Sequence, residues 1–156
     1  MDQESFRHAC ARWATGVCVA TVMGLDHQPH GLTISSFTIV SWHPHLVLVS
    51  IDQMASASRH FVTANGYSIQ VLGDDQEEIS MRFSRHVEDR FAGLEWGVGV
   101  TGAPVVRGAL AEFDCAIVDR VHAGDHTLYI GEVKRAASRE GRPLIYFNRG
   151  YRRITG

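Results

Sequence analysis

Runs of aliphatic and β-branched residues recur along this chain with turn residues between them, and they do not alternate regularly with helical patterns. That ordering disfavours a parallel α/β sheet and favours neighbouring antiparallel strands. Residues 17–23 are rich in β-formers and apolar on both faces, as in a buried strand. Residues 29–36 form the next strand, continuing through residues 37–40, until His43-Pro44 interrupts the run. Residues 45–51 are almost wholly aliphatic, and residues 67–72 alternate. Residues 109–121 form a long strand with Phe113, Cys115 and Ile117 on one face and Glu112, Asp114 and Ala116 on the other. A turn at residues 123–125 sends residues 126–135 back as its hairpin partner. Residues 144–147 and 151–154 finish the sheet. Only three stretches read as helices. Residues 2–14 place Phe6, Ala9, Cys10 and Trp13 on one stripe; residues 56–65 start at Ser56 as a candidate N-cap and stop at Asn65-Gly66; residues 75–83 put Ile79 and Phe83 on one face. Glycine-rich residues 92–108 read as a loop. With about six to eight strands, the expectation is a mainly β fold. It is an antiparallel, Greek-key-like barrel with a few short peripheral helices, residues 1–156 forming one domain.

Composition narrows the function. The formal net charge is −2, so no basic surface points to nucleic acid. No run reaches the ~20 apolar residues of a membrane helix, and the opening Met-Asp-Gln-Glu-Ser is unlike a secretory signal. Cys10, Cys18 and Cys115 are scattered without a Cys-x-x-Cys, which fits small buried side chains in a reduced, cytoplasmic setting.

Several motifs fail on context. Residues 97–102 match G-x-G-x-x-G, but neither the preceding strand nor the following helix of a dinucleotide fingerprint is present. His27/His30, His43/His45 and His122/His126 are close pairs, yet Gly124-Asp125 splits the last, and no Glu or Cys completes a constellation. No metal site is expected. There is no Gly-x-Ser-x-Gly elbow and no Walker A motif. Residues 31–58 are more informative. Thr33, Ser35, Ser36, Ser56 and Ser58 cluster at strand ends and a helix start. They serve either as strand-edge and capping hydroxyls or as an anion site. Their number, with Arg59 beside them, suits a phosphate as well as a cap. His126 follows a tight turn at a hairpin mouth, where a histidine is either idle or part of a site.

Together these stretches resemble the flavin reductase family, whose fold is the FMN-binding split barrel and whose members include the reductase components of two-component flavin monooxygenases. His30-Gly31-Leu32-Thr33-Ile34-Ser35-Ser36-Phe37 is similar to that family's H-G-(M/L)-T-x-(N/S)-S-F. His43-Pro44-His45-Leu46-Val47-Leu48-Val49 is similar to its D-P-P-L-V-L-V, and residues 124–133 to its G-D-H-x-(I/L)-x-x-G-x-V. Asp89-Arg90-Phe91, Gly102-Ala103-Pro104 and residues 143–147 fit in the same order. The resemblance implies an NAD(P)H:flavin oxidoreductase using FMN (or FAD) and NADH or NADPH, acting as a homodimer and handing reduced flavin to an oxygenase component. It assigns Thr33, Ile34, Ser35 and Ser36 to the isoalloxazine and ribityl chain, and Ser50, Ile51 and Asp52 to the same wall. Ser56, Ser58 and Arg59 would hold the phosphate, and Arg82 and Phe83 the flavin's far end. His126, with Gly124, Asp125 and Thr127 around it, would orient the nicotinamide carboxamide. His43 and His45 replace common Asp and Pro, and Ser35 stands where Asn is frequent; both bear on flavin preference. A non-catalytic flavin carrier, or a split-barrel enzyme for another small molecule, is the alternative.

Overall fold

A computed structural model describes residues 1–155. Its main sheet has seven strands in the order β3-β2-β6-β9-β10-β5-β4. The strands are β2 (Cys18–Met23), β3 (Pro29–Ile34), β4 (Thr38–Trp42), β5 (His45–Asp52), β6 (Gly66–Val71), β9 (Ala111–Ala123) and β10 (His126–Ser138). Every neighbouring pair is antiparallel.

The sheet must curl. In a flat sheet β3 and β4, at its two edges, would lie about 29 Å apart at about 4.8 Å per strand. Yet residues 35–37 are all that separate Ile34 from Thr38, and such a link spans at most about 14 Å. Ser36 marks the seam, donating its hydroxyl proton to the Ser50 carbonyl (2.8 Å) and accepting from the Ser50 N–H (3.1 Å). The two edge strands are not paired with each other, so the barrel is split there.

The fold explains why residues 17–23 are apolar on both faces, with Thr21 the one polar residue among them. Cys18, Ala20 and Val22 point into the barrel core with Val49, Ile69 and Tyr129. Val17 and Val19 point the other way, into a second core with Leu72, Phe83, Phe91 and Leu144. The buried Tyr67 hydroxyl donates to the Tyr129 carbonyl at 3.1 Å, so the large core aromatic leaves no orphan donor.

The structure changes several sequence expectations. The helix expected over residues 2–14 is shorter: α1 (Gln3–Cys10) starts at Asp2, whose side chain accepts from Ser5 N, and buries none of its residues. Phe6 is 54% exposed and Trp13 76%, so that apolar stripe has no partner within the chain. The helix expected over residues 56–65 is α2 (Ser58–Thr63), preceded by Ala57 with no side-chain cap. Backbone turns, Ala55 N to Asp52 O and Ser58 N to Ala55 O, lead into it, so Ser56 does not cap. The third helix, α3 (Glu77–Ser84), forms close to its expected place. The strand expected to run through residue 40 breaks at residues 35–37 to make the seam.

Residues 92–108 are not all loop. β7 (Trp96–Val98) and β8 (Pro104–Val106) form a hairpin that lies over the sheet. It is pinned by Thr21 Oγ1 donating to Pro104 O (2.5 Å) and by Asp114, whose carboxylate accepts from Thr101 N (3.2 Å) and the Thr101 hydroxyl. Asp114, on the face opposite Phe113 and Cys115, is therefore 4% exposed. The last strands, β11 (Ile145–Phe147) and β12 (Gly150–Arg152), pair with β1 (Thr15–Gly16) in a separate small sheet rather than finishing the main one.

Cys18 and Cys115 are buried as expected, but Cys10 is exposed. Burial pushes both interior thiols up to about 12, with Asp114 adding to the effect at Cys115. A thiol reagent at pH 8 is expected to label one cysteine in the folded chain and three after unfolding, because the thiolate is the reactive form. The same shift sets an alkaline limit. Below the unfolded value of 9.0 the thiols are neutral in both states, whereas between 9.0 and about 12 only the unfolded chain ionises them. Stability is therefore expected to fall across that window, as denaturant midpoints at successive pH values would record.

Candidate functional site

The expected site residues come from the seam, the start of α2, α3 and the β9–β10 turn. The structure brings them together in groups along the curled sheet rather than in one cavity.

The first group flanks a polar cleft of about 720 Å³ lined by Ser56, Arg59, His30, His60, Arg90 and Trp96, among others. Its floor is the start of α2; its far wall is the segment after α3. Arg90 ties that wall down, donating from Nη1 to Gly31 O (2.7 Å) and from Nη2 to Arg85 O (2.7 Å). Arg82, also expected at the site, donates to Ala92 O at 2.5 Å and supports the same segment. Ser56 and Arg59 are exposed, whereas Ser58 is 7% exposed. The guanidinium and hydroxyl that face the cleft suit an oxyanion, and its volume lies within the about 300–1,000 Å³ of small-molecule sites.

The second group is a hollow of about 250 Å³ lined by Thr33, Ile34, Ser35, Ser80, Ser84, Tyr146 and Tyr151, with Val17. The Thr33 hydroxyl proton is committed to Ser80 O (2.6 Å), and Ser80 Oγ lies 2.7 Å from the Tyr151 hydroxyl. Thr33 therefore offers a ligand an acceptor, not a donor. Ser35 is exposed and also borders a groove of about 610 Å³ shared with Phe6, Trp13, Tyr146 and Arg149.

The third group lies where β5 meets β10. His126 is in register with Asp52, and Thr127 with Ile51. Gly124 takes φ 63°, a turn conformation that favours glycine. His126 Nδ1 lies 2.7 Å from Asp125 Oδ1. That hydrogen bond is the main reason the Asp125 carboxyl is held below its ordinary value, with the histidine's charge second. A carboxylate only accepts, so Nδ1 carries the proton and a neutral ring presents a bare Nε2. Gln53 Nε2 donates to the His126 carbonyl (3.2 Å) and fixes the start of the strand.

Two expected contacts are corrected. The side chains of Ile51 and Phe83 are each 1% exposed, Phe83 packing edge-on against Phe91 at 5.1 Å. Both belong to the cores, and neither side chain can line a ligand. Ser36 and the backbone of Ser50 bond to each other at the seam.

Sequence reasoning also missed a cluster. Asp26, His30 and His60 converge at the edge of the cleft, with a ligating atom of each within 4.8 Å of the others. No sequence spacing signals it, because His60 comes from α2 and the other two from the β2–β3 turn and β3.

Residues 10–155 match the family described as Flavin reductase like domain. The chain belongs to the flavin reductase family. It is 39% identical over 154 residues to the FMN reductase (NADH) SmoA of Agrobacterium fabrum, covering 99% of this chain and 87% of that protein. It is 37% identical over 145 residues to the reductase component of the flavin-dependent trigonelline monooxygenase of Acinetobacter baylyi, covering 93% of this chain but 47% of that protein. Against some curated relatives, then, this flavin reductase chain spans about half of their length. Among solved structures, the NADH:FAD oxidoreductase SgcE6 of Streptomyces globisporus C-1027, in complex with NAD and FAD fragments, superposes with a TM-score of 0.92 at 33% identity. That alignment covers 99% of this chain and 93% of the other. The split barrel expected from the sequence is thus the fold of the family, and its members' names carry flavin reduction by NADH. No helix of the described residues is long and apolar enough to cross a membrane.

Proposed function

We propose that this chain is an NADH-dependent flavin reductase that takes FMN or FAD and supplies reduced flavin to a separate oxygenase component. The observation that carries this reading is likeness in both sequence and fold, along nearly the whole chain, to a solved NADH:FAD oxidoreductase. In such a reaction the nicotinamide supplies a hydride and the flavin receives it. The protein's task is to hold both rings and exclude water.

Specific residues suit each part. Ser56 and Arg59 hold the flavin phosphate at the cleft. Thr33, Ser35 and the backbone of Ser36 and Ser50 border the ring system, Thr33 as an acceptor. His126, with Nδ1–H donated to Asp125, keeps Nε2 free to accept from the carboxamide N–H of the nicotinamide, so the histidine orients and does not abstract a proton. Gly124 and Thr127 shape the turn that positions it. The unpartnered Phe6 and Trp13, with Ile39, Val40 and Trp42 exposed on β4, suit burial against a second copy, so the working unit is a homodimer whose second chain covers the groove at Ser35. Among the described residues no disulfide forms, which fits a cytoplasmic enzyme.

The deciding experiment is NADH oxidation with and without added FMN. Oxidation that depends on flavin supports the reading; no oxidation by folded protein under either condition rejects it. NADPH in parallel sets the nucleotide preference. Arg59→Ala is expected to weaken FMN binding about tenfold, since an exposed charge-assisted hydrogen bond sits at the low end of about 1.5–3 kcal/mol. Quenching of flavin fluorescence on binding would measure it.

A further inference from the structure

Asp26, His30 and His60 border the cleft assigned to the flavin phosphate, where no role was given to them as a group. His30 Nε2 lies 2.9 Å and 3.1 Å from the two carboxylate oxygens of Asp26 and donates to them. The His60 ring stacks on the His30 ring, centroids 3.4 Å apart and planes 7° apart. The backbone makes room for this meeting. A Cβ at Gly24 would stand 2.8 Å from His60 Nδ1, 2.9 Å from His30 Cδ2 and in collision with Asp26 Oδ1. Gly24 has no positive φ to account for its identity; what the glycine provides is space where the three side chains converge.

We propose that Asp26, His30 and His60 form a binding site for a divalent transition metal of the zinc class. Two imidazole nitrogens and one carboxylate oxygen are the donor set such ions take, with the remaining positions left to water or an incoming ligand. A neutral His30 ring frees Nε2 for the ion by moving its one proton to Nδ1; only a protonated ring releases a proton, so binding weakens in acid. Parallel rings cannot both aim a lone pair at one ion, so the stack opens on binding. Room for that exists: His30 and Asp26 are 25% and 48% exposed at their side chains, and all three border the open cleft. With the ion on Nδ1, His60 carries its proton on Nε2 and gives up the bond it accepts from Arg59 Nε (3.2 Å).

The test is titration of the untagged full chain with Zn²⁺ by calorimetry and with Co²⁺ by visible absorption. One ion per chain is expected, with the Co²⁺ bands of a nitrogen- and oxygen-ligated site. His60→Gln and Asp26→Asn should each weaken binding by more than the about 10–100-fold typical of losing an outer-sphere partner. Asp26→Asn keeps an oxygen for the Gln28 N–H that Asp26 now binds at 3.1 Å, so it guards against a misfolded result. His43→Gln and His45→Gln, the other close histidine pair, should bind as the parent does. Absence of binding overturns the proposal. So does binding that survives His60→Gln and Asp26→Asn, or that disappears with His43 or His45. These titrations need neither NADH nor flavin, so they stand or fall separately from the reductase assignment.

Discussion

Phe61→Ala is expected to lower the free energy of unfolding by about 3–5 kcal/mol. Phe61 is fully buried and packs against Tyr129 at 5.4 Å and Tyr67 at 6.3 Å between ring centroids. Its removal leaves a void in the barrel core that two rigid aromatic neighbours cannot fill. The loss reaches the site because of what holds α2. This helix has six residues and no side-chain cap, too short to stand without tertiary packing. Its anchors are Phe61 and the guanidinium of Arg120, which donates to the Ala64 carbonyl at the helix end. Loosening α2 displaces Ser56, Arg59 and His60 together. Urea unfolding should show a lower midpoint at unchanged slope, and flavin affinity should fall alongside. A loss below about 1 kcal/mol would mean that the site tolerates collapse, and that Phe61 is not the anchor described.

His126→Ala is expected to reduce kcat/KM for NADH about 100-fold, the size of effect that misplacing a reacting group produces. Flavin binding without NADH should stay unchanged. The side chain is 41% exposed, so its loss opens no core cavity. Asp125→Asn offers the finer comparison. It keeps a side chain beside the ring but removes the charge that fixes the proton on Nδ1, so it should fall between the parent and His126→Ala. A variant that oxidises NADH at the parent rate would remove His126 from the site.

Much of the barrel could be read from residues alone because the physical signal was local. β2 is apolar on both faces, Thr21 apart, since both of its faces are covered, and the Gly124-Asp125 turn announced the β9–β10 hairpin. Other parts depended on what lies opposite. The stripe of Phe6, Ala9, Cys10 and Trp13 has helical spacing, but spacing does not say whether the same chain supplies a covering surface; here it does not. Asp114 alternates like a surface residue and is buried because a hairpin of three-residue strands folds over it, too short and glycine-rich to announce itself. Of the proposed site, the His126 turn and the cluster of hydroxyls stood out along the chain. Two of those hydroxyls, Thr33 and Ser36, turned out to be engaged with backbone carbonyls. Phe83 and Ile51 shared a stretch with residues proposed for the site but faced the core. The meeting of Asp26 and His30 with His60 rests on long-range packing between β3 and α2, and no pattern along the chain encodes it.

A wall fastened to its neighbour by one serine has a preferred place to come apart. The seam between β3 and β4 has no ladder of backbone bonds, and β4 itself is largely exposed along its length. Local opening should therefore begin there, long before β2 and β6 let go. Amide hydrogens near residues 37–42 should exchange first, and Ser36→Ala should speed that exchange at Ser50 while leaving the protection of Ile69 intact. The molecule can breathe at its edge, beside the groove at Ser35, without disturbing its centre.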